Sequence, residues 1–204
     1  MYKSLKLIEE IYDESMYGNN DIFRIKDIVH SFDDNHWRGK QWVADIVKNY
    51  YEHKAGNVLI MGGWYGMMAY QMRKAFPDRQ INITSVDMDP RCEEFGYKLF
   101  GDMDINFVTQ DITKLNLQAY DIIINTSVEH MDFTVIRNIL KSKRKDTLIA
   151  FQSNDYFEEL SHINCSRYLT DFVEDVEQYL SEERARYWGE MNMHGFKRFM
   201  VVGR

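Results

Sequence analysis

Short apolar runs recur through the middle of the chain, separated by longer stretches in which apolar residues return every three or four positions. The runs are Asn57-Val58-Leu59-Ile60-Met61, Ile81-Asn82-Ile83-Thr84-Ser85-Val86, Ile105-Asn106-Phe107-Val108, Tyr120-Asp121-Ile122-Ile123-Ile124-Asn125 and Thr147-Leu148-Ile149-Ala150-Phe151. They are brief and mostly rich in β-branched residues, which favours strand over helix. Their starts lie about 24 residues apart, enough for one helix in each crossover between parallel neighbours. This alternation predicts a parallel sheet covered on both faces.

The intervening stretches carry helix signals. A helix is expected from Tyr65 to Ala75, ending before Pro77, and another from Pro90 through Leu99. Pro90 suits a first helical turn, where its missing N–H costs nothing. Asp132 is placed to cap Phe133 to Leu140, whose apolar positions Phe133, Ile136, Ile139 and Leu140 follow the helical period. Two or three helices precede the first strand, among them Tyr2 to Met16 and Gly39 to Tyr51. Near the end, a helix through Leu169 to Leu180 leads to two extended runs, Arg184 to Met193 and Phe196 to Val202. The His194-Gly195 turn between them predicts an antiparallel hairpin. The expected architecture is α/β: a doubly wound, mostly parallel seven-stranded sheet closed by a C-terminal antiparallel hairpin. Residues 1–55 form a helical N-terminal extension to a core over 56–204, all in a single domain.

Composition narrows the function more than the fold. Apolar residues make up 45% and charged residues 28% of the 204, ordinary for a globular chain. No apolar run approaches the roughly 20 residues needed to span a bilayer. The N-terminus is charged within its first turns and has no signal-peptide core, so a cytoplasmic location and no membrane partner are expected. The net charge of −7 argues against an extended nucleic-acid footprint. The one compact basic run, Lys141-Ser142-Lys143-Arg144-Lys145, reads as a solvated loop. Cys92 and Cys165 have neither metal-ligand spacing nor the number for a disulfide framework. No metal is assigned, and homo-oligomer formation is left open.

Three polar signals follow the first three strands in register. The first strand enters Met61-Gly62-Gly63-Trp64-Tyr65-Gly66 and then a helix. A glycine-rich turn there lets backbone N–H groups approach a ligand closely. Asp87 falls at the end of the second strand, where an acid can accept both ribose hydroxyls of a nucleoside. Asp89, directly before Pro90, is read instead as a helix cap. Asp111 follows the third strand, where a carboxylate can receive an adenine amino group.

Together these positions resemble the class I S-adenosylmethionine-dependent methyltransferases, over about residues 57–204. The closing hairpin separates that pattern from nicotinamide-binding domains, which usually continue with a parallel strand. The resemblance implies S-adenosylmethionine as cofactor. Gly62, Gly63, Trp64 and Gly66 would form the loop beside its methionine part, Asp87 would hold the ribose, and Met88 would pack on the adenine. Asp111 and Ile112 would address the adenine edge. The segment Asn125-Thr126-Ser127-Val128-Glu129-His130-Met131 would line the floor near the reactive methyl, with Asn125 counted among the cofactor residues. Ile60 stands where the family usually has an acid, and Trp64 replaces its middle glycine. The loop is therefore expected to depart from its commonest course, and the methionine end to find other partners among Asn35, Arg38, Lys40 and Trp42.

Methyl transfer from a sulfonium asks the protein mainly to align a nucleophile and remove its proton. Candidates for that work lie after the fourth and fifth strands: Glu129, His130 and His162. The stretch Phe151-Gln152-Ser153-Asn154-Asp155-Tyr156-Phe157 and its continuation to Cys165 are rich in polar groups, as a site for a small polar acceptor would be. No Asn-Pro-Pro-Tyr or Asp-Pro-Pro-Tyr follows strand four, and no Pro-Cys supports cytosine C5 chemistry. Cys165 reads as a small apolar residue rather than a nucleophile. The expected function is methyl transfer to a small molecule or another unidentified acceptor. Two alternatives stay open: a different S-adenosylmethionine-consuming reaction, cleavage or aminopropyl transfer, and a non-catalytic binding module.

Overall fold

Seven strands form one sheet: β1 Ala55–Met61, β2 Gln80–Asp87, β3 Ile105–Thr109, β4 Ile122–Asn125, β5 Leu148–Asn154, β6 Tyr187–Asn192 and β7 Lys197–Gly203. In the computed structural model, which describes residues 2–16, 22–78, 80–181 and 185–204, they lie in the order β3-β2-β1-β4-β5-β7-β6. The first five are parallel, and β7 runs antiparallel between β5 and β6. The seven-stranded doubly wound sheet and its closing hairpin are as the sequence predicts. Arg184, at the start of the expected hairpin run, lies outside the described residues.

The alternation of side chains along each strand sorts the core into two layers. Val58 and Ile60 of β1, with Ile122 and Ile124 of β4, face one layer. It is completed by the helices α1 Tyr2–Met16, α2 Ile22–Ser31, α3 Asp34–Tyr50, α4 Met67–Ala75 and α5 Pro90–Phe100. Leu59, Met61, Ile123, Ile149 and Phe151 face the other, under α6 Phe133–Ser142 and α7 Leu169–Glu177. Strands apolar on both faces need helices on both faces.

Several boundaries move from their expected places, each for a local reason. The helix α3 begins well before Gly39, because Asp33 caps it by accepting from the His36 N–H at 2.8 Å. The helix α4 begins at Met67 rather than Tyr65, because Gly66 sits left-handed at φ 89 as its N-cap. Asp89 and Asp132 cap α5 and α6 as predicted. The helix α7 ends at Glu177, short of Leu180. The difference that matters for the site is β5, which runs on through Gln152, Ser153 and Asn154. Antiparallel pairing with β7 carries it three residues past the end of its parallel partner β4 (Gln152 with Met200, Ser153 with Phe199, Asn154 with Arg198). These polar residues are therefore buried strand, not surface loop.

Candidate active site

The strand order reverses at β1, with β2 on one side and β4 on the other, so the crevice at their C-terminal ends is a topological switch point. The glycine turn closes it. The Gly63 N–H donates to the Val86 carbonyl at 3.0 Å, drawing the loop against β2. A Cβ at Gly63 would come within 2.0 Å of Ser85 Oγ, so any side chain there would force that hydroxyl to swing away. Asp87, half-buried at the end of β2, then locks the turn. Its Oδ2 accepts from the Trp64 N–H at 2.9 Å and its Oδ1 from the Asp89 N–H at 3.1 Å.

Trp64 adopts a left-handed backbone, φ 48, in a turn that also holds Gly62 at φ 61 and Gly66 at φ 89. A tryptophan thus occupies a conformation that glycine takes freely. Its ring stacks on Tyr65 at 5.3 Å and meets the edges of His36 and His30 at 5.4 and 6.4 Å. Beside it, Arg24 of α2 donates to the Tyr65 hydroxyl at 3.0 Å and pairs with Asp89 at 2.8 Å. Burial, before any other influence, pushes the Tyr65 phenol up to about 12. The N-terminal helices are thereby fastened over the turn. The sequence offered no signal for Arg24, because its partners lie far along the chain.

The other residues expected to meet the cofactor follow β2, β3 and β4. Met88 is exposed. Asp111 caps the 3-10 turn Ile112–Lys114, accepting from Thr113 at 2.9 Å from its N–H and 2.7 Å from its hydroxyl. These two hydrogen bonds hold its carboxyl below the usual range. Ile112 is buried. Asn125, at the end of β4, is fully buried; its Oδ1 accepts from the Ser127 N–H at 2.9 Å and its Nδ2 lies 3.1 Å from Met131 Sδ. That loop folds over Gly62, whose Cβ would sit 3.1 Å from Met131 Cε.

Past β4 the sequence candidates converge. Glu129, in the 3-10 turn Val128–His130, is only 2% exposed. Its Oε1 accepts from Asn154 Nδ2 at 2.7 Å and faces Arg198 Nη1 at 3.5 Å, while Oε2 is buried with no partner. Its carbonyl accepts from the N–H groups of Ile163 and Asn164 at 2.8 and 3.0 Å, stitching the loop after β5 to the loop after β4. That stitch brings His162 beside His130, ring to ring at 4.6 Å. Glu129, His130 and His162 each present a ligand-type atom within 4.8 Å of the others. Cys165 Sγ sits 3.2 Å from Asn154 Oδ1, and burial, then Glu129 and Asp155, push its thiol up to about 11. It stays a protonated thiol near neutrality.

Of the four candidates in the helical lead-in, Lys40 alone is a buried charge. Arg38 is exposed and pairs with Asp34, Asn35 accepts from the His194 N–H, and Trp42 donates to the Tyr187 hydroxyl. Lys40 follows His36 and Asp33 along one face of α3, and it shares its surroundings with Arg198 and Glu129. Burial first, then the Arg198 charge, lower its ammonium to about 7. Burial and Lys40 lower the His36 imidazole to about 3. A second cluster, His30, Asp33 and His36, lies on this side of Trp64. Its carboxylate is fully engaged, with Oδ2 at 3.0 Å from His30 and Oδ1 at 2.9 Å from His36.

No family model matches the chain, and no curated protein matches it. Solved structures do. Magnesium protoporphyrin IX methyltransferase from Synechocystis PCC 6803, with bound SAH, superimposes with a TM-score of 0.64 at 13% identity, over 83% of this chain and 84% of that one. The plantazolicin methyltransferase BpumL, in complex with SAH, gives 0.61 at 14% identity, over 98% and 99%. A TehB-like SAM-dependent methyltransferase from Corynebacterium glutamicum gives 0.55 at 13%, over 93% and 98%. The fold is that of the class I S-adenosylmethionine-dependent methyltransferases. No helix among the described residues is long and apolar enough to cross a membrane.

Proposed function

We propose that the chain binds S-adenosylmethionine in the switch-point crevice and transfers its methyl group to a small polar acceptor. The observation that carries this reading is the tie between Asp87 and the Trp64 N–H, which fixes the glycine turn against the end of β2. Proteins of the same fold with bound SAH support it. Gly62, Gly63, Trp64 and Gly66 border the methionine part and Asp87 takes the ribose hydroxyls. Met88 and Ile112 flank the adenine, and Asp111 accepts from its amino group. Asn125 shapes the floor through the loop it holds. Lys40, buried one turn along α3 from His36, supplies a cation for the cofactor carboxylate.

The bound cofactor supplies an activated methyl on a sulfonium. The chain positions the acceptor in line with it and takes up the acceptor's proton. Glu129, His130 and His162 form the polar group on the acceptor side, and the loop after β5, which carries His162, is tied to the Glu129 carbonyl. Thermal unfolding with and without S-adenosylhomocysteine tests the reading. At about 100 times Kd the ligand stabilises by roughly 2.7 kcal/mol, and Asp87→Ala loses most of that gain while staying folded by circular dichroism. Absence of any shift with S-adenosylmethionine or S-adenosylhomocysteine in the folded wild-type chain would refute it.

A further inference from the structure

We propose that Glu129, His130 and His162 hold a divalent transition cation at the acceptor side of the crevice. Three independent features of the geometry point to it. First, one donor atom from each residue already lies within 4.8 Å of the other two. Ligand atoms about 2.1 Å from a tetrahedral metal are roughly 3.4 Å apart, so the set needs to draw in by at most about 1.4 Å to close.

Second, both imidazoles are held in the tautomer that a metal needs. His162 Nδ1 lies 2.8 Å from the Tyr156 carbonyl and His130 Nδ1 lies 3.3 Å from the Ser161 carbonyl. A carbonyl oxygen only accepts, so Nδ1 is the N–H nitrogen of each ring, and in the neutral ring Nε2 is the nitrogen left to ligate. A backbone carbonyl on the far ring nitrogen is how metal-ligating histidines are oriented.

Third, the carboxylate has a buried oxygen with nothing to bind. Glu129 Oε2 has no partner while Oε1 is held by Asn154 and faces Arg198. A buried carboxyl oxygen with no hydrogen-bond partner is costly, and a cation bound at Oε2 would remove that cost on the side of Glu129 away from its Arg198 contact. The His30, Asp33 and His36 cluster lacks this feature, since both oxygens of Asp33 are engaged within the cluster.

Two imidazoles and one carboxylate select Zn²⁺, Fe²⁺, Co²⁺ or Mn²⁺ over Mg²⁺ or Ca²⁺, which prefer all-oxygen sets. Three protein ligands leave positions open, and an acceptor hydroxyl could take one and lose its proton more readily there. That role rests on the methyltransferase reading; the cation site itself does not.

The test is calorimetric titration of the full chain, stripped of metal, with CoCl₂, ZnCl₂, MnCl₂ and MgCl₂ in the absence of cofactor. One equivalent of Co²⁺ or Zn²⁺ is expected to bind, with Mg²⁺ far weaker, and the Co²⁺ form to show visible ligand-field absorption. His130→Gln and His162→Gln each weaken Co²⁺ binding at least tenfold, while His36→Gln leaves it unchanged. His130 is exposed, so its variant tests the site without disturbing the core. No stoichiometric binding to the folded wild-type chain overturns the proposal. So does binding that survives His130→Gln and His162→Gln but is lost in His36→Gln. Cation binding in a chain that gives no shift with S-adenosylhomocysteine would uphold the site and remove the methyl-transfer reading alone.

Discussion

Trp64 combines a backbone angle that disfavours it with a side chain that the surroundings hold, φ 48 against ring contacts with Tyr65, His36 and His30. Replacing it separates the two effects. Trp64→Ala and Trp64→Gly both lose the ring contacts, but only alanine keeps the left-handed penalty, about 1 kcal/mol. Trp64→Gly is therefore expected to be the more stable of the two, by up to about 1 kcal/mol once the greater chain entropy of glycine is set against the removed penalty. Urea unfolding of the pair measures the difference; equal midpoints would show that the turn relaxes away from positive φ. At this scale the sequence was most legible where a residue acts on its neighbours. Asp89 and Asp132 cap the helices beside them, because cap geometry spans only a few positions. Asp87 was legible as the last residue of a strand, but its grip on the Trp64 N–H was not, since that bond exists only once β1 and β2 are paired. Arg24 and Arg198 gave no signal for the same reason: their partners are brought to them by the fold.

Among the elements, β5 shows how pairing sets length. Its last three residues, Gln152, Ser153 and Asn154, look like loop in one dimension because they are polar. They are strand because β7 offers them antiparallel partners beyond the reach of β4. That extension places Asn154 against Glu129 and carries the following loop back over the fourth strand's end. The helices at the N-terminus pose the opposite problem. Their apolar periodicity predicts that they exist, but not that they roof the crevice. Besides the buried Ile28, α2 is attached through Arg24, whose guanidinium bridges Tyr65 and Asp89. The Arg24 side chain is only 14% exposed, so the pair is not a solvated surface contact. Arg24→Met is expected to lower stability by about 1.5–3 kcal/mol, the range for a lost hydrogen bond to a charged group. It should also speed hydrogen exchange within α2 more than within β1 or β4. Uniform acceleration across the sheet would show that α2 and the core open together.

Over the whole molecule, the helical extension and the sheet meet through charge as well as apolar area. Asp33, His36 and Lys40 descend one face of α3 toward Glu129 and Arg198. The two bases on that face are lowered by burial, Lys40 to about 7 and His36 to about 3. Each therefore makes folding depend on pH in the same direction. Below about pH 7 Lys40 is protonated in both folded and unfolded chains, and the full cost of its buried charge is present. Between about 7 and its ordinary value of 10.5, the unfolded chain holds the proton that the folded chain has released. The unfolded state then binds more protons, and stability rises with pH by up to about 1.4 kcal/mol per unit. For His36 the window runs from 6.5 down toward 3: the unfolded chain takes up a proton that the folded chain refuses, so stability is lost as pH falls. Lys40→Met removes the first dependence without opening a cavity. The variant is expected to be more stable than wild type at pH 7, with the gap narrowing steadily at pH 8 and 9 in urea unfolding. A gap that does not change with pH would mean that Lys40 keeps an ordinary ammonium and is solvated in the folded chain. The same variant should weaken S-adenosylhomocysteine binding at pH 6.5, where the folded Lys40 carries its charge, more than at pH 8.5, where it does not. A cation that costs the fold stability and serves the ligand would then account for a charged residue in the joint between the extension and the sheet.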